Sequence, residues 1–299
     1  MDLEKTYDKT TDSIDLFTNR FNANISTRSN DMWKTISNTL KKLELDSSGN
    51  IKVNNANLKV LRTLRGDILK TIITPQYKKD LNEFLGGFEE LKGINDTYYK
   101  AAASGLLNEN KLVFKEVVNA SIDATKNSLL EAGITNEIIN PVQKLLTRNV
   151  TTGGSFDDLT TALKTEILGD KERLGGLERY TKQITKDSLQ QFNANYNESV
   201  SYDLGFEFFY YHGAVKTTSR TYCLDLVTGG RWYHKKEIEQ TASQQWAGKI
   251  PGTSASTIFI YRGGYNCGHN WNGASTSVVP QSVVDRAESK GYYKPKSKK

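Results

Sequence analysis

Over residues 1 to about 205, apolar side chains recur every three or four positions, segment after segment, and nothing else in the sequence limits the fold as much. Ile14, Phe17, Phe21 and Ile25 open the series, and Trp33, Ile36, Leu40 and Leu43 continue it. That is the period of a helix with one face turned inward, so helix after helix is expected here. "DSSGN" at 46–50 interrupts the first stripe. Leu58, Leu61, Leu64, Ile68 and Ile72 form a second, which ends at Pro75, whose ring forbids simple continuation. Leu81, Phe84, Leu85, Phe88 and Leu91 form a third. "NKLVFKEVVNASIDATKNSLLEAG" reads as one long helix closing at a left-handed Gly133. Ser155 and Asp158 have the spacing of a capping box, with Asp in place of Glu, ahead of a new helix. Another long helix is expected over about 177–204. The stripes pack on one another or dock on a larger neighbour, and no repeat of fixed period is present.

After residue 205 the texture changes. "FEFFYYHGAV" is aromatic and suited to a strand. "TTSRTYCLDLVTGGRWY" suggests a short turn or helix, a Gly-Gly turn and a strand; "KKEIEQTASQQWAG" looks helical and "STIFIYR" reads as a strand. The expected fold class is therefore α+β: a long, mainly helical N-terminal body, a small α+β C-terminal module and a flexible basic tail. The divisions are a helical region 1–145, a helical connector 146–205, the module 206–288 and the tail 289–299. Apolar residues are 37% and charged residues 25% of the chain, which suits a well-solvated helical protein better than an enzyme with one large core.

No stretch approaches the roughly 18 apolar residues in a row that a membrane span needs, so no membrane contact is expected. The start, "MDLEKTYDKTTDS", lacks the basic-then-apolar order of a secretory signal. Two cysteines in 299 residues fit a reducing cytosol, so the protein is expected to be soluble and made in a cytoplasm. The net charge of +6 comes mostly from the last ten residues, "KGYYKPKSKK". Lys290, Lys294, Lys296, Lys298 and Lys299 read as a flexible arm that either aids solubility or touches nucleic acid by counterion release. Tyr292 and Tyr293 beside them could stack on bases.

"GGYNCGHNW", residues 263–271, concentrates the rarer chemistry behind Gly263 and Gly264. If "YNCGHNW", residues 265–271, is extended, Cys267 and His269 share a face, and Cys223 in "SRTYC" could meet them. A structural zinc site needs four tetrahedral ligands, here Cys223, Cys267 and His269 with a fourth from His234, His212 or Asp225. A Cys223–Cys267 disulfide, a catalytic Cys–His pair and a purely structural pin are the other readings. In the last, Arg220 and Asp225 pair within the same unit. Beyond zinc at this cluster, no cofactor is suggested by the residues.

The order of these segments is similar to a known one. "LERYTKQITKDS", "YYHGAVKTTSRTYC", "GGRWYHKKEI", "WAGKIPG" and "GGYNCGHNW" resemble the C-terminal domain of tailed-phage head morphogenesis proteins, also called minor head or minor capsid proteins and typified by the F protein of phage Mu. The match covers roughly residues 145–275, and its most specific part pairs "TSRTYC" with "GGYNCGH", that is Ser219, Arg220, Cys223, Gly263, Gly264, Asn266, Cys267 and His269. The resemblance implies a virion component present in several copies. It would associate with portal or capsid proteins at the portal vertex or in the head interior, and assist assembly, genome packaging or DNA delivery. Many relatives carry a further cysteine after the first and an H-x2-C-R-C-like ending; this chain has Gly268 where a basic residue often sits. The domain has also been compared with barnase-like and EndoU-like ribonuclease folds. On that comparison Arg220, His234 and His269 would be acid–base or phosphate-binding groups of a nuclease. A DNA-binding ejection protein acting through the tail is the third expectation.

Overall fold

The computed structural model describes residues 3–103, 114–265 and 267–295. Its described helices are α1 Leu3–Asn22, α2 Ile25–Leu40, α3 Asn55–Arg62, α4 Leu64–Ile72, α5 Pro75–Ala102, α6 Lys115–Leu129, α7 Glu131–Ile134, α8 Asn140–Thr152, α9 Phe156–Leu168, α10 Gly176–Asp203, α11 Thr221–Thr228, α12 Lys235–Thr241, α13 Ile258–Tyr261 and α14 Gln281–Ser289. Three strands, β1 Phe208–His212, β2 Trp232–His234 and β3 Asn270–Ala274, form one antiparallel sheet in the order β2-β1-β3. The mainly helical body followed by a small α+β region is thus present as the sequence pattern requires. Among the described residues, no helix is long and apolar enough to cross a membrane.

The chain divides into two compact units, each assembled from separate stretches. One comprises Asp15–Gly87 and Ile122–Ser188. Its apolar stripes close on themselves: Phe21, Met32, Ile36, Ile68, Ile72, Tyr77, Phe84, Leu146 and Leu163 are all buried. Phe21 meets Tyr77 edge-on with ring centroids 5.5 Å apart. Arg28 is buried here too, donating to Thr74 Oγ1 at 2.7 Å and pairing with Asp80 at 3.1 Å. The Ser155 hydroxyl accepts the Asp158 N–H at 3.3 Å and so caps α9. The anticipated stop at Gly133 is corrected: α6 ends at Leu129, Leu130 is extended, and Gly133 lies inside α7 with no positive φ. A Cβ on Gly133 would collide with the Ser128 carbonyl, so glycine serves close approach there, not a left-handed cap.

The other unit comprises Met1–Ile14, Phe88–Ser121 and Leu189–Lys299. The sheet region thus shares this unit with the ends of α5 and α10, and the sheet is covered on both faces. Phe209 and Tyr211 of β1 face a core of Tyr222, Leu226, Ile238, Ile258, Phe259 and Trp271. The alternate residues face the ends of α5 and α10: Tyr98 packs on His212, and Asn272 Nδ2 donates to Asn197 Oδ1 at 3.0 Å. The Ala102 carbonyl accepts the Ser275 N–H at 3.0 Å, and the Tyr99 hydroxyl reaches the Asn197 carbonyl at 3.1 Å. A strand buried on both sides needs those helix ends as its second cover.

The strand expected at "STIFIYR" is the short helix α13. β-branched residues prefer strands because they pack well on a pleated surface, and tertiary burial overrides that preference. Ile258 and Phe259 are buried in the core, Thr257 Oγ1 accepts the Ser254 N–H at 2.8 Å, and Arg262 ends the turn at φ 53°.

The tail is also corrected in its first residues. Ser289 closes α14, and the chain then folds back: Tyr293 packs on Phe208 with centroids 5.2 Å apart, and Tyr292 stacks over His234 at 5.9 Å. Both rings are thereby engaged within the protein.

Candidate functional site

Tyr211 next to the C-terminal end of β1, Cys223 in the first turn of α11, and Cys267 with His269 just ahead of β3 converge on one buried corner. The two sulfurs lie 3.9 Å apart, and Cys267 Sγ lies 3.8 Å from His269 Nδ1. The Tyr211 hydroxyl sits 3.4 Å from Cys223 Sγ and 3.7 Å from Cys267 Sγ. Its ring stacks on the His269 imidazole, nearly parallel, at 4.9 Å. Three glycines make the approach feasible. A Cβ on Gly263 would lie 2.8 Å from Cys267 Sγ and closer still to Cys223 Sγ, and one on Gly213 would strike the His269 ring. Gly264 adopts φ 99° and has no room for a side chain against the Gly248 carbonyl. Trp246 Nε1 pins the loop by donating to the Gly263 carbonyl at 2.9 Å.

Arg262 supplies the positive charge beneath this corner. Its side chain is buried and donates to Asn270 Oδ1 at 2.9 Å, the His269 carbonyl at 3.3 Å, the Gln190 carbonyl at 3.5 Å and, through Nε, the Ile260 carbonyl at 2.8 Å. The thiols titrate as a pair. A hydrogen bond from Cys223, with smaller help from His269 and Arg262, holds Cys267 well below an ordinary thiol. The same hydrogen bond, then burial, pushes Cys223 up. Burial above all, and then the neighbouring thiols, raises Tyr211.

Cys223, Cys267 and His269 thus meet, and their ligand atoms lie within 4.8 Å of one another. None of the proposed fourth ligands joins them. His234 pairs with Phe208 at one end of β1, whereas His269 adjoins Asn270, which pairs with His212 at the other. Those ends are four residue steps apart, about 13 Å. His212 packs against Tyr98 and Tyr210, and Asp225 lines a separate surface hollow with Ser219, Arg220 and Trp246. Burial holds His212 far below the ordinary imidazole range and lowers His234. Arg220 does not pair with Asp225; its guanidinium donates to the Tyr265 carbonyl. Both cysteines are free, so the disulfide is not formed. Asn266, Lys296, Lys298 and Lys299 lie outside the described residues. Lys294 is exposed, while Lys290 Nζ is held 2.8 Å from Glu237 Oε1. Sequence reasoning missed Tyr211 and Arg262. The signal for Tyr211 was its alternation with Phe209, which sets both on one face of a strand.

Glu237 is the anchor that folds back the C-terminal residues. It accepts from Arg286 at 3.0 Å, from Lys290 and from the His234 N–H at 3.0 Å, while the His234 ring caps α12. Burial opposes its ionisation, but Lys290, the His234 N–H and Arg286 outweigh that and lower its pKa from 4.5. A carboxylate so held stabilises the fold above its unfolded pKa and ceases to do so as pH falls through the folded value. Glu237→Gln is expected to cost about 2 kcal/mol at neutral pH. The gap from the native protein should close as pH falls below 4.5, as read from denaturant midpoints across pH.

No family model, curated protein or solved structure matches the chain. What the site defines on its own geometry is a closed, thiol-rich corner within an aromatic core. Its imidazole and both sulfurs are buried.

Proposed function

We propose that this chain is a structural component of a tailed-phage particle, a minor head or head morphogenesis protein. In this reading it associates with portal or capsid subunits in several copies, in the head interior or at the portal vertex, after assembly in the host cytoplasm. It assists head assembly, genome packaging or DNA delivery, with Lys294, Lys296, Lys298 and Lys299 available to packaged DNA. The observation that carries the reading is the meeting of "TSRTYC" with "GGYNCGH". These segments bear the resemblance to that family, and Cys223 and Cys267, 44 residues apart, touch in one buried corner. Most residues of the helical stripes are occupied internally, Leu58 being exposed, so subunit contacts would be made mainly by the outer, more polar helix faces.

The nuclease alternative has less in its favour. His234 and His269 stand at opposite ends of β1 and are buried, and Arg220 lies in a different hollow. General acid–base cleavage needs such groups beside one phosphodiester. Mass spectrometry of purified particles and procapsids from cells that encode the chain tests the proposal. The protein is expected in both, at a low, fixed ratio to the major capsid subunit. Its absence from both would reject the particle role.

A further inference from the structure

We propose that Cys223, Cys267 and His269 bind one Zn²⁺ ion, with the Tyr211 hydroxyl at the fourth corner, as a structural staple of the C-terminal region. The inference rests on the corner's own geometry and does not depend on the particle reading.

A tetrahedral zinc with Zn–S bonds of ~2.3 Å holds two sulfurs ~3.8 Å apart, and with Zn–N of ~2.0 Å holds sulfur and nitrogen ~3.5 Å apart. Here the sulfurs are 3.9 Å apart and Cys267 Sγ is 3.8 Å from His269 Nδ1. The Tyr211 oxygen completes the figure at 3.4 and 3.7 Å from the two sulfurs. Four of the six donor–donor edges thus lie within a few tenths of an ångström of the tetrahedral values, and the Cys223, Cys267 and His269 ligand atoms all fall within 4.8 Å of one another.

The space between them is kept open by the sequence. Gly263 faces both sulfurs, and any side chain there would enter the gap. No carboxylate belongs to the cluster among the described residues, and the donors are two soft sulfurs and an imidazole. That chemistry selects zinc over calcium or magnesium, which want oxygen. All four residues are buried, with Tyr211 fully covered, so no position is left for an outside substrate. A closed site of this kind is structural. The ion would join the first turn of α11, the C-terminal end of β1 and the loop leading to β3, three segments distant in sequence. Two thiolates and two neutral donors would leave the corner electrically neutral around the dication. Binding transfers the thiol protons to solvent and needs no oxidant.

The test uses the full-length protein purified under reducing conditions without chelator. Elemental analysis is expected to find about one zinc per chain. After chelation, added Co²⁺ should give a sulfur-to-cobalt charge-transfer band and the intense visible bands of tetrahedral cobalt, saturating at about one equivalent and reversed by Zn²⁺. Cys267→Ser and His269→Ala should lose the signal. Because either could misfold, the native cobalt spectrum is decisive. Zinc-free protein that gives no sulfur-to-cobalt band overturns the proposal, and so does a Cys223–Cys267 disulfide in the protein as isolated. Tyr211→Phe should alter the visible bands while sparing the charge-transfer band; an unchanged spectrum would remove Tyr211 from the ligand set.

Discussion

Trp271→Ala is expected to destabilise the protein by about 3–5 kcal/mol, the usual cost of emptying a large aromatic site in a packed core. Trp271 is 2% exposed and projects from β3 into the aromatic core. Its ring lies 4.3 Å from Tyr211, 5.9 Å from Tyr233 and 6.4 Å from Phe259. The cavity cannot collapse easily, because those neighbours are fixed by the sheet register and by α13. Trp271→Phe should cost distinctly less. It retains an aromatic ring and removes an indole N–H that has no hydrogen-bond partner. Urea unfolding followed by far-ultraviolet circular dichroism measures both variants. An alanine variant with the native midpoint would mean that this cluster is not the core of the sheet.

Arg262→Met should be nearly as damaging, at about 3 kcal/mol. Methionine fills similar space but withdraws the donors that serve Asn270 Oδ1 and the carbonyls of His269 and Ile260. Buried acceptors stripped of their donors cost more than a hydrogen bond contributes. Arg262→Lys should restore little, since an ammonium group cannot reproduce the planar fork that spans several acceptors. The same denaturation series decides the matter, and a methionine variant as stable as the native protein would show that the network does not hold the loop.

Much of this arrangement could be read from residue spacing, and the failures have particular causes. The 177–204 helix emerged as α10, and Ser155 caps α9, because both signals are local. The convergence of Cys223 with Cys267 and His269 was legible from scarcity: two cysteines and few histidines leave few ways to build such a corner. Gly133 misled because glycine answers to two needs, positive φ and close approach, and sequence does not say which. The α13 segment misled because burial of Ile258 and Phe259 is satisfied equally by a strand or by one helical turn. The second cover of the sheet was hidden for another reason. Asn193 and Asn197 look like ordinary polar helix positions, yet they are buried and bonded to Asn95 and Asn272. Polar pairs of that sort leave no periodic trace.

The seclusion of Cys223 and Cys267 gives the chain a built-in clock. They are its only two sulfhydryls, each nearly sealed from solvent at 2% and 3% exposure. A maleimide can therefore modify the metal-free protein only while this corner breathes open. The rate at which label accumulates under native conditions reads how often it does so, one molecule at a time, without any engineered probe.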